Sequence, residues 1–149
     1  MRLRVAALVC AFCAFAPIVA RGHRPRGAGR NDAPKEVAIT VSARCRPAGG
    51  ADVRVDPDPV LLHPNDEATW ELDSAATAES MRVYPKVADE WPFPDSPHRG
   101  KRGAPARARR MKAGQAGRAF LYNVELTCIR PGGLPDTVVF DPEMIIRKR

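Results

Sequence analysis

The chain predicts an all-β fold: an antiparallel β-sandwich of about seven strands. Three observations carry that prediction. Its apolar residues fall in short runs with the period-two alternation of half-buried strands. Those runs are separated by proline- and glycine-rich turns, and no helical stripe persists for more than two turns. The longest run, from Ala119 to Cys128, sets Phe120, Tyr122, Val124, Leu126 and Cys128 on one face, as a strand across a sandwich core would.

The elements follow in order. Val37, Ile39 and Val41 alternate with Ala38, Thr40 and Ser42 to give the first strand, closed by Cys45. Pro47-Ala-Gly-Gly50 is a turn. Val53-Arg-Val55 restarts a strand, which Asp56-Pro-Asp-Pro59 interrupts, because proline has no N–H for a ladder and therefore marks an edge or a kink. Val60 to Leu62 resumes it, and His63-Pro-Asn-Asp66 turns the chain. Ala68 to Leu72 carries Trp70, and Met81 to Tyr84 forms the next strand. After the long strand, Pro131 to Pro135 is a turn. Thr137 to Phe140 and Met144 to Arg147 close the domain, kinked at Asp141-Pro142. The predicted core is Trp70, Phe120, Tyr122, Val124 and Leu126 with Ile39, Val41, Val55, Val83, Val139 and Ile145. Pro105 to Lys112 has the alanines and arginines of a short helix but no apolar stripe to pack. Trp91-Pro-Phe-Pro94 reads in two ways, as a small aromatic binding surface or as a plug over the open end of the sandwich; the plug is preferred, since a domain with few aromatics buries them.

At 149 residues the chain holds one domain with tails. Arg2 and Arg4 precede an apolar run from Val5 to Ala20, the pattern of an export signal and short for a membrane span, which needs about 20 residues. Cleavage after Ala20 gives an exported, periplasmic or secreted protein; the alternative is an anchor by an uncleaved segment, the one case in which a membrane becomes a partner. Residues 21–35 are rich in Gly, Pro and Arg and are expected to be a disordered basic linker. Residues 36–149 form the sandwich, with a basic loop at 96–118.

Two of the four cysteines, Cys10 and Cys13, lie in the signal segment. An even pair, Cys45 and Cys128, remains, which in an oxidising compartment reads as one disulfide. The competing reading leaves Cys128 a free thiolate ligand.

The formal net charge is +7, unevenly spread. From Ala51 to Asp95 acids dominate; from Ser96 to Arg118 there is no acid and eight bases. Seven of these, Arg99, Lys101, Arg102, Arg107, Arg109, Arg110 and Lys112, form the candidate contact for an anionic surface or protein partner. The plainer reading is a solvated loop that shares the chain's general arginine bias. Nucleic acid is not expected, since no aromatic side chain interleaves the basic run for bases to stack on.

The stretch Val53 to Leu72, a strand, an Asn-Asp turn and a strand centred on Trp70, resembles the opening of the cupredoxin family. Phe120 to Cys128 resembles its penultimate strand and Met144 to Arg147 its last; Asp141-Pro-Glu-Met-Ile-Ile146 also resembles the closing strand of exported bacterial domains. The resemblance implies a cupredoxin-like, or more loosely immunoglobulin-like, sandwich with Cys128 at the place of a copper cysteine. A type 1 copper site needs two His and one Cys, usually with a weak axial Met. No His follows the Trp70 strand between Asp73 and Met81, and neither His nor Met follows Cys128 through Leu134. His63 and His98 are the remaining candidates, and no spacing requires them to meet, so no metal or other cofactor is expected. The carboxylate pairs Asp56/Asp58, Asp66/Glu67 and Asp89/Glu90 fit turns better than acid–base or calcium chemistry. No triad is apparent around Ser74, Ser80 or Ser96. The sequence thus points to a non-catalytic exported binding or structural domain of the cell envelope, with a copper redox protein as the alternative.

Overall fold

The computed structural model describes residues 34–148. The expected signal segment, with Cys10 and Cys13, and the expected linker up to residue 33 lie outside the described residues. Within them the chain forms ten strands: β1 (Glu36–Cys45), β2 (Ala51–Asp56), β3 (Val60–Leu62), β4 (Glu67–Leu72), β5 (Ser80–Pro85), β6 (His98–Lys101), β7 (Ala106–Ala108), β8 (Ala119–Ile129), β9 (Pro135–Phe140) and β10 (Glu143–Ile146). One sheet has the order β2-β1-β4-β7; the other has the order β3-β10-β8-β5-β6, with β9 also paired to β8.

Ten strands stand where about seven were expected, and two pairs, β1 with β4 and β3 with β10, are parallel, so the sandwich is mixed rather than purely antiparallel. The parallel pairings and one added strand have one origin, while β6 and β7 add the others within segment 96–118. The prolines at 57 and 59 do more than kink a strand: β2 lies in the first sheet and β3 in the second, so the interruption is the corner where the chain changes sheets. The His63–Asp66 turn then returns the chain to the first sheet, closed by the Asp66 N–H on the His63 carbonyl at 3.0 Å and by the His63 N–H on the Asp66 carboxylate at 2.8 Å. Asn65 takes the left-handed conformation there, φ 80°, which Asn tolerates. Because β2 already occupies one side of β1, β4 takes the other and runs in the direction of β1.

The even residues of β8 all point inward: Phe120, Tyr122, Val124, Leu126 and Cys128 are buried, as the alternation predicts. They meet Trp70 of β4, Ile39 and Val41 of β1, and Met81 and Val83 of β5 in one core. Two expected core residues are corrected. Met144 of β10 sits opposite Phe120, so Met144 and Ile146 face the core and Ile145 is only half-buried. On β9, Val138 sits opposite Leu126, so Val139 faces out and is 50% exposed. Both runs, Val-Val-Phe and Met-Ile-Ile, are apolar at every position, and their register is dictated by β8 rather than by their own pattern.

The segment 96–118 differs most from expectation. It is not wholly loop, and Pro105 to Lys112 is not a helix. Ala106-Arg-Ala108 is β7, pairing with β4 and burying both alanines against the core while Arg107 points out. The alternation of small and charged residues is a strand pattern that alanine's helix propensity obscures.

Candidate functional site

The basic residues lie around one edge of the sandwich, where β6, the last strand of one sheet, passes directly into β7, the last strand of the other. The crossing is a tight turn in which Lys101 and Ala104 exchange backbone hydrogen bonds at 2.8 and 2.9 Å. Gly100 permits it: a Cβ there would lie 2.7 Å from the Ala106 nitrogen and 2.8 Å from the Met81 methyl. Arg99 and Lys101 project from the outer face of β6, and Arg107 from that of β7. Arg102 is anchored in the turn, its Nη2 donating to the Ala76 carbonyl at 2.9 Å. Arg109 lies 3.8 Å from Glu67. Arg110 and Lys112 follow, both exposed, and the Lys112 N–H donates to the Pro92 carbonyl at 2.7 Å. The seven cations therefore wrap an edge and divide between two outer faces instead of lining one groove. A shallow cleft of about 290 Å³ between Ser80, Arg99, Gly100, Lys101 and Pro105 opens beside them.

Cys45 and Cys128 are joined in a disulfide, Cα to Cα 5.7 Å, tying the end of β1 in one sheet to the end of β8 in the other. The Cys128 sulfur is thereby committed and is not a free thiolate.

The two candidate histidines occupy unlike places. His63 is exposed in its turn, Nδ1 3.5 Å from the Asp66 carboxylate. His98 is buried. Its ring stacks on Trp70, with centroids 6.1 Å apart and planes 13° from parallel, and meets Phe93 edge-on at 6.0 Å. The Trp91 indole N–H donates to His98 Nε2 at 3.3 Å, and also to the Asp95 carbonyl at 3.2 Å. An indole nitrogen only donates, so Nε2 is an acceptor and the imidazole is neutral. Burial pushes the His98 pKa below its ordinary 6.5, against hydrogen bonds to the backbone of Arg107 and Asp95 and the charge of Asp95. Among the described residues, no group of three or more His, Cys, Asp or Glu side chains is placed to hold a metal ion.

The aromatic cluster around His98 was only partly legible. Trp91 and Phe93 are buried and pack on Trp70 and Tyr122, which is the plug that the proline-flanked pair suggests. Trp70 donates from Nε1 to the Tyr122 hydroxyl at 3.4 Å, and burial raises the Tyr122 pKa. His98, in contrast, looked like part of the basic loop. The signal that could have found it is the alternation of His98 and Gly100 with Arg99 and Lys101, small or aromatic inside and charged outside. No family model matches this chain, and no curated protein or solved structure matches it.

Proposed function

We propose that the chain is an exported, non-catalytic binding domain of the cell envelope, built on a cupredoxin-like sandwich without copper, which contacts an anionic partner through the β6–β7 edge. One observation carries the reading. Arg99, Lys101, Arg107, Arg110 and Lys112 are exposed and have no acidic partner among the described residues. Arg82, Lys86 and Arg130, by contrast, lie 2.7–2.8 Å from Glu125, Asp141 and Asp136. Unpaired, solvated cations at one edge raise the local potential and favour a polyanion, with an attraction that salt screens. The Cys45–Cys128 bond supports an oxidising compartment. The strands that carry the resemblance, β2 to β4, β8 and β10, support the cupredoxin-like reading of the scaffold.

The test is retention of the protein on a dextran sulfate column across a salt gradient. The protein is expected to elute at higher salt than its variant with Arg99, Lys101, Arg107, Arg110 and Lys112 replaced by alanine. All five side chains are exposed, so the variant should keep its fold. Equal elution of the two would remove the edge from consideration.

A further inference from the structure

We infer that β9 is a docking edge for a second copy of this chain, forming an antiparallel β9–β9 pair that joins two sandwiches into one continuous sheet. Among the described residues β8 is the only strand paired with β9, and it lies along one side alone. The turn fixes which groups point to the other side. The Arg130 N–H bonds the Leu134 carbonyl at 2.9 Å, and the Tyr122 N–H bonds the Pro142 carbonyl at 3.2 Å. These two bonds bracket the β8–β9 register and share its parity, so 128/136, 126/138 and 124/140 are the hydrogen-bonded pairs. Residues 137 and 139 belong to the intervening pairs. Their N–H and C=O groups therefore point away from β8, with no backbone partner among the described residues; the Thr137 N–H meets the carboxylate of its neighbour Asp136 and would exchange it for the second copy.

A two-fold axis through Val138 satisfies these groups. It sets Val138 opposite Val138 of the second copy and Thr137 opposite Val139, in both directions. Thr137 and Val139 then exchange both backbone bonds with their opposite numbers, giving four hydrogen bonds between the copies, two of which replace the Thr137 N–H contact to Asp136, across a row of β-branched side chains. Asp136 falls opposite Phe140 and not opposite another charge. It is already held by Arg130 at 2.7 Å and by the Gly50 N–H at 2.8 Å, so no like charges face each other. The exposed apolar side chains Ile129, Leu134 and Val139 cluster on this same hairpin.

The other edges are blunted. Self-pairing of β6 or β7 would bring arginines together, in a chain of net charge +7. The exposed side chains of β2 are Asp52, Arg54 and Asp56, and β3 is three residues long. β9 exposes Pro135, Thr137 and Val139.

Sedimentation of the purified protein over a concentration series up to roughly 0.5 mM tests the inference. The expected result is a monomer–dimer equilibrium. Val139→Lys, a charge on an outward side chain, should raise the dissociation constant by at least about tenfold. Thr137→Pro removes a donor that faces away from β8, so it should also abolish the dimer while leaving the β8 ladder intact. Each variant is first checked for the native disulfide and a cooperative unfolding transition. The alanine variant of the basic edge should dimerise as the parent does, which separates this interface from the anionic contact. A protein that stays monomeric throughout would overturn the inference. So would a dimer that survives both β9 substitutions, or one lost with the basic edge alone.

Discussion

Replacing both Cys45 and Cys128 by alanine removes the covalent tie between the two sheets. The cysteines are separated by 83 residues, so the bond closes most of the described domain into one loop. The chain-entropy relation for a loop of that size gives about 15 cal/mol/K, or about 4.5 kcal/mol at 25 °C, of destabilisation on removal. Total stability for a domain of this size is about 5–15 kcal/mol, so the variant keeps between almost none and two-thirds of it. The assay is equilibrium urea unfolding followed by tryptophan fluorescence, since Trp70 and Trp91 are both buried. With a slope of about 1.5 kcal/mol/M, the midpoint should fall by about 3 M. A fall of less than about 1 M at an unchanged slope would refute the loop-closure reasoning. It would mean that the denatured chain keeps the two sites near each other, or that the packing of β1 and β8 alone holds the sheets in place.

Three further outcomes are expected. Because the folded-state pKa of His98 is depressed, the unfolded chain binds the extra proton first; stability is full above pH 6.5 and falls below it, at about 1.4 kcal/mol per pH unit, until the folded value is reached. The urea midpoint of His98→Phe should lose this dependence between pH 7 and pH 5, while the lowered carboxylates Asp73 and Asp136 begin to cost stability only below their ordinary 3.8; an unchanged slope in the variant would assign the effect elsewhere. Phe93→Ala empties a fully buried site beside Trp70 and Trp91 and should cost about 3–5 kcal/mol by urea titration, whereas an exposed loop aromatic would cost less than about 0.5 kcal/mol. Gly100→Val drives side-chain atoms into the Ala106 backbone and should shift the thermal midpoint down by several degrees; an unshifted midpoint would show that the β6–β7 crossing is not close-packed.

The sequence was most legible where one pattern had only one solution. In β8, aromatic and aliphatic residues occupy the even positions while Asn123, Glu125 and Thr127 interrupt the odd ones, so its inward face could be read without the fold. The Pro57/Pro59 break, the kink at Asp141-Pro142 and the burial of Trp91 and Phe93 were legible for similar reasons. Legibility failed where a local pattern allowed two answers. Val138 and Val139 are chemically identical, and only the opposite residue of β8 decides which is inside. Ala106 and Ala108 carry too little apolar surface to announce a strand; Trp70 and Ala68, across from them, supply the reason for it. The parallel pairing of β1 with β4 was not legible at all, because it follows from which side of β1 was already taken. Of the candidate site, the cations could be read from composition, but their division between two faces depends on a crossing made possible by one glycine.

The place of β8 in the chain has a consequence for how the molecule is made. It pairs with β5, β9 and β10, it supplies Tyr122 to the aromatic cluster, and it carries one half of the disulfide. Yet it is the eighth of the ten described strands, and a nascent chain lacking residues 119–129 can join β1, β2, β4 and β7, and β5 with β6, but cannot connect β3 to the β5–β6 pair. Most of the pairings that define the second sheet wait for residues 119–146, so its folding is dominated by long-range closure. A chain so arranged leaves its second sheet uncommitted until residues 119–146 are released, and would reach any step that handles it before then with that sheet unformed.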